Sequence, residues 1–171
     1  MIRVIMGKKG SGKTKQMIEM INAAAQTEHG NVICIEKGNK LTLDIHYHIR
    51  LVEASDYDIG SYTALKGFIS GMYASNYDIT HIFIDSLTKI AGGECDNETE
   101  NFLDWLNKFG EQHNIKFTIT ISDDADLAPD GVKNISEFGQ AAPRGFSPRG
   151  AFIFEGPFFR PFPHKNMGGN S

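Results

Sequence analysis

Short apolar runs alternate along this chain with longer segments of helical spacing. Ile2-Arg3-Val4-Ile5-Met6 suits a buried parallel strand, and residues 13–26 place Met17, Ile18, Ile21, Ala24 and Ala25 on one side of a helix. Gly30-Asn31 marks a turn, after which Val32-Ile33-Cys34-Ile35 reads as a second buried strand ending at Glu36. Residues 49–53 alternate as a third strand, with an acidic connection through Asp56 and Asp58. Residues 61–75 predict a helix with Ser61 as N-cap and Tyr62, Leu65, Phe68, Ile69 and Met72 at helical spacing. An apolar strand over 80–86 follows. A helix then runs from Asn97 to about residue 112, with Asn97 and Glu100 as a capping-box-like start. Its buried stripe is Phe102, Leu103, Leu106 and Phe109, with Trp105 at the margin and Gly110 or Asn114 near its end. Residues 115–121 form the last clear strand. This order predicts an α/β fold of three layers, with a mainly parallel sheet of about five strands and right-handed crossovers.

The pattern stops near residue 125. All six prolines lie at 129 or later, and seven of the twelve phenylalanines fall between 138 and 162. We therefore divide the chain into a domain, 1–125, and a Pro/Gly/Phe-rich irregular or disordered tail, 126–171. Ala151 to Glu155 can add one edge strand, with Pro157, Pro161 and Pro163 stopping further pairing. Three readings of the tail stand: a loosely docked extension, a partner-binding peptide with Phe and Pro anchors, or a segment not native to the domain.

The first strand leads straight into Gly7-Lys8-Lys9-Gly10-Ser11-Gly12-Lys13-Thr14, followed by Lys15. The pattern G-x-x-x-x-G-K-[ST] arises by chance roughly once in 30,000 windows. Here it also stands between a strand signal and a helix signal, which makes it a phosphate-binding loop (P-loop). Glycines let backbone N–H groups close on phosphate oxygens at the start of a helix. Lys13 supplies a mobile cation for the β- and γ-phosphates, and the Thr14 hydroxyl can ligate Mg²⁺. The strand Thr80-His81-Ile82-Phe83-Ile84-Asp85-Ser86 delivers a carboxylate at its C-terminal end, where open α/β sheets bind ligands; Asp85 complements Thr14 as the second metal residue. Thr120 and Ser122, at the end of the last strand, are candidates to sense the γ-phosphate or the attacking water.

Other features carry weaker chemistry. His46-Tyr47-His48 could align two imidazoles on a strand face, without a further ligand to complete a metal set. Gly67 and Gly71 form a GxxxG pair, expected to pack closely on the sheet. Cys34 and Cys95 are expected as free thiols in a reducing compartment. The start of the chain lacks a charged leader and no apolar run approaches 18 residues, so no membrane span and a cytoplasmic location are expected. In that setting the sequons at Asn97 and Asn134 carry no glycan. A net charge of −4 gives no indication of a nucleic-acid partner held by phosphate neutralisation.

The segment Ile82-Phe83-Ile84-Asp85-Ser86-Leu87 resembles the Asp-Ser ending of the Walker B strand in RecA-like and KaiC-like ATPases. The resemblance covers roughly residues 1–122. It implies a RecA-like strand order, Mg²⁺–ATP held between Gly7–Thr14 and Asp85, and catalytic roles for Lys13, Glu36 and Asp85. Glu36 takes the place of the water-activating glutamate at the end of an earlier strand. The resemblance also implies a cation from a neighbouring subunit, with Lys89, Arg144 and Arg149 candidates by type, and so a protein partner or homo-oligomer. ATP is favoured over GTP because the chain has no N-K-x-D segment. The expected function is an ATP-binding, Mg²⁺-dependent ATPase. A nucleoside-type small-molecule kinase and a nucleotide-binding switch with little turnover are the alternatives.

Overall fold

The computed structural model describes residues 1–123 and the strand 152–155. Its centre is a six-stranded sheet in the order β3-β2-β4-β5-β1-β6. The strands are β1 (Ile2–Gly7), β2 (Asn31–Glu36), β3 (Arg50–Glu53), β4 (Ile79–Ile84), β5 (Lys116–Ser122) and β6 (Phe152–Glu155). The first five are parallel; β6 runs antiparallel beside β1, where Arg3 faces Glu155 and Met6 faces Phe152. The expected edge strand therefore forms. The rest of 124–171, including the competing readings of the tail, Arg144, Arg149 and the sequon at Asn134, lies outside the described residues.

Helices cover both faces. Helix α1 (Lys13–Thr27) places Met17, Ile21 and Ala24 against Val32, Cys34 and Phe83 on one side. On the other, α2 (Tyr62–Ser75), α3 (Leu87–Ala91) and α4 (Asn97–His113) pack over Val4, Ile33, Ile35, Ile82, Ile84, Phe117 and Ile119. The central strands are buried on both faces because each is covered by helices twice over, which explains their continuous apolar runs. No helix among the described residues is long and apolar enough to cross a membrane.

Ser61 caps α2 as expected, its hydroxyl accepting from the Ala64 amide at 3.1 Å. The capping box of α4 sits one residue earlier than expected. Asp96 accepts from the amides of Glu98 and Thr99, and the Thr99 hydroxyl accepts from the Asp96 amide. Thr99 displaces Glu100 from this role because it also meets the buried Tyr62 hydroxyl at 2.7 Å, tying α4 to α2. The αL residue Asn114 ends α4. Helix α3 and a 3₁₀ turn at Ala54–Tyr57 were not foreseen, being too short to show a period.

The expected close packing of Gly67 and Gly71 is overturned. Both are exposed, and a Cβ at either would meet nothing within 4 Å. They border a groove of about 470 Å³ that separates α2 from the strand residues Ile33, Val52 and Ile79. Since neither glycine is needed for space, Gly67→Ala and Gly71→Ala should each raise unfolding stability by about 0.5–1 kcal/mol, as measured by urea denaturation.

At the far end of α1, Glu28 accepts from Lys116 of β5 at 2.7 Å and stands 3.6 Å from His81 of β4. The approach of His81 and the Lys116 ion pair hold Glu28 down at about 2, against the opposing effect of burial. His81 is lowered by burial, opposed by Glu28. The signs agree in acid. Depression of the Glu28 pKa adds stability above its ordinary pKa of 4.5 that is lost as pH falls toward 2, and neutral His81 loses stability as pH falls below its ordinary 6.5. Glu28→Gln should flatten the acid limb of the urea-midpoint profile below pH 4.5, and His81→Asn the limb that begins below 6.5.

Candidate functional site

Parallel pairing brings Gly7, Glu36, Asp85, Thr120 and Ser122 to one edge of the sheet, because every one of these strands ends there. The loop between β1 and α1 turns on Gly10 (φ 85°) and Gly12 (φ 87°), both in the left-handed region that a side chain would strain. Gly12 begins α1 without any side-chain cap, and the first helical turn contains no acidic residue. That turn instead begins Lys13-Thr14-Lys15, so helix end and side chains present positive potential to the loop.

Lys13 folds back into the loop. It is buried, and its ammonium donates to the carbonyls of Gly7 at 2.6 Å and Lys8 at 2.9 Å, with the Ser11 hydroxyl at 3.4 Å. Burial lowers its pKa, and nearby Asp85 works the other way. Lys8, Lys9, Gly10 and Lys15 are exposed around it.

Asp85 is 4% exposed yet well partnered. Its Oδ1 accepts from the Thr120 hydroxyl at 2.8 Å and lies 3.4 Å from the Thr14 hydroxyl, while Oδ2 accepts from the Ser86 hydroxyl at 3.2 Å. The Ser86 amide donates to Thr120 Oγ1 at 2.7 Å, so one buried threonine braces two successive residues. Ser86 is held in the left-handed region (φ 57°), an arrangement a non-glycine residue keeps only when its neighbours fix it. Thr120 is spent on Asp85, whereas Ser122 is exposed opposite Gly7. Sequence patterning found Thr120 as a hydroxyl but not this role; the signal was a polar residue at a position otherwise buried.

Glu36 lies beside Asp85, whose amide donates to the Ile35 carbonyl at 2.9 Å. The glutamate is 1% exposed, and its carboxylate accepts from the Lys40 amide at 2.8 Å and the Leu41 amide at 3.2 Å. Glu53, at the end of β3, accepts from Gly38 and Asn39 at 2.6 and 3.1 Å. Two carboxylates thus take four consecutive amides and fix the loop after β2. Three strand spacings separate β2 from β1, about 14 Å. Beneath the pair, the Cys34 thiol is pushed up by burial first and then by Asp85 and Glu36.

The structure joins Thr14, Asp85 and Thr120 through the Asp85 carboxylate, sets Lys13 near enough for its charge to interact with Asp85, and leaves Glu36 engaged with its own loop. Lys89 donates to the Lys37 carbonyl at 2.6 Å. His46, Tyr47 and His48 lie exposed in the loop before β3, not on a strand, with His46 stacked on Tyr47 and His48 edge-on to both. Among the described residues no group of three or more His, Cys, Asp or Glu is arranged for a metal. Mg²⁺ does not require one, since it takes one or two protein oxygens and completes its shell with water and phosphate. The hard oxygens of Thr14 and Asp85, 3.4 Å apart, fit that demand. No family model matches the chain, and no curated protein matches it.

Thr120→Val removes the hydroxyl while keeping its shape, leaving Asp85 Oδ1 and the Ser86 amide short of a partner. It should cost about 1–3 kcal/mol in chemical denaturation, and Thr120→Ser should recover most of the loss.

Proposed function

We propose that the protein binds Mg²⁺–ATP at Gly7–Thr14 and hydrolyses it. The observation that carries this reading is the meeting of Thr14 with Asp85 across 71 residues of sequence, beside a buried Lys13 and an uncapped helix start. Strand order supports the RecA-like arrangement, since β5 stands between the strand carrying the loop and the strand carrying Asp85. The lack of an N-K-x-D segment favours adenine over guanine.

In this reading the loop amides and the α1 terminus bind the phosphates, and Lys13 leaves the Gly7 and Lys8 carbonyls to neutralise the β- and γ-phosphates. Thr14 and Asp85 hold Mg²⁺, which when bound offsets phosphate charge. Thr120 and Ser86 keep the Asp85 carboxylate oriented. Glu36 takes the proton of the attacking water as its oxygen bonds to the γ-phosphorus and the bridging oxygen leaves with ADP. To do so the glutamate must exchange its hold on the Lys40 and Leu41 amides. A slow cycle, accelerated by a partner or a second copy, is the consequence.

The hold of Glu36 on those amides also favours a second reading, a nucleotide-binding switch with little turnover. Phosphate release and ATP affinity of full-length protein separate the two. Lys13→Ala should abolish both, and Asp85→Asn should cut Mg²⁺-dependent release by about a hundredfold or more. Glu36→Gln should lower turnover by about 10²–10⁴ with ATP affinity retained. Unchanged slow turnover in Glu36→Gln beside tight ATP binding selects the switch, and no ATP binding by the parent protein removes both readings.

A further inference from the structure

Glu36 and Glu53 stand opposite one another at the ends of the neighbouring parallel strands β2 and β3, whose backbones run about 4.8 Å apart. Like charges so placed repel, and one loop satisfies both. Gly38 (φ 116°) and Asn39 (φ 49°) are successive left-handed residues, which curl the backbone so that its amides converge on anions. Glu53 takes the first two amides, Gly38 at 2.6 Å and Asn39 at 3.1 Å, together with the Ser55 amide at 3.1 Å. Glu36 takes the next two, Lys40 at 2.8 Å and Leu41 at 3.2 Å. From the other flank, Lys89 of α3 donates to the Lys37 carbonyl at 2.6 Å, and Lys37 donates to the Lys89 carbonyl at 3.2 Å. Residues 37, 38 and 39 are thus each fixed by a partner outside the loop. On the far side, the Leu41 side chain is fully buried with Met17 and Ile21.

We propose that Glu53 and Lys89 are positioning residues that restrain hydrolysis by presenting the Lys40 and Leu41 amides to Glu36. The proposal rests on the reading of Glu36 as the base for the attacking water. Two donors already in place hold a carboxylate more tightly than a loop that must first be ordered. Each contact to residues 37–39 therefore strengthens the hold on Glu36 without touching it. Glu53 stands four strand spacings from β1, about 19 Å, so it acts on the reaction through the loop and not on the phosphates. Loss of either positioning residue frees Glu36 and speeds turnover. A lysine that neutralised the γ-phosphate would give the opposite sign.

Glu53→Ala and Lys89→Met loosen the loop from opposite sides, and both are tested in full-length protein. Without nucleotide, each should speed hydrogen exchange of the Lys40 and Leu41 amides roughly three- to tenfold, the factor one hydrogen bond supplies. With Mg²⁺–ATP, kcat should rise by a similar factor, or become measurable, while KM stays within about twofold. Lys89→Arg, which keeps a charged donor, should restore parent values, and adding Glu36→Gln should remove the gain. Unchanged exchange, unchanged kcat, a fall of kcat in Lys89→Met, or a gain that survives Glu36→Gln overturns the proposal. A parent protein that binds no ATP removes the nucleotide reading and this proposal together. Parent turnover that neither variant alters removes this proposal alone.

Discussion

A carboxylate removed from water has to be given donors, and the upper edge of this sheet is arranged around that requirement at Asp85. An ionised group at 4% exposure is costly unless several hydrogen bonds replace its hydration. Thr120 and Ser86 supply them, and Thr14 stands next in line. These partners come from β5, from the residue after Asp85 itself and from the first turn of α1. The carboxylate therefore ties three elements that would otherwise meet only through apolar contacts.

The same principle recurs at Glu36, 1% exposed; with the half-buried Glu53 it satisfies four amides of the loop that follows β2. Lys37 and Lys89 then exchange contacts to each other's carbonyls, joining this loop to the short helix after Asp85.

Most of the fold was legible because the strands are buried on both faces and the longer helices carry full apolar stripes, as at Met17, Ile21 and Ala24 or Leu65 and Ile69. Local spacing was enough there. It failed where the decisive partner is distant in sequence. Thr99 outcompetes Glu100 in the α4 cap because of Tyr62, and Gly67 and Gly71 face a groove that no helical wheel could distinguish from a packed surface. At the site, the loop and Asp85 were legible as motifs, whereas Thr120 as the brace of Asp85 depends on the register of β5 against β4. The engagement of Glu36 with Lys40 and Leu41 depends on a loop without any period.

Strand β6 changes the standing of β1. With β5 on one side and β6 on the other, the strand that carries the glycine loop is an interior strand, its backbone groups paired along both flanks. A chain ending before residue 152 would leave Ile2–Met6, one of the most apolar segments of the protein, as a bare edge open to pairing with another molecule. Pairing with β6 thus covers, against self-association, the strand on which the loop is mounted.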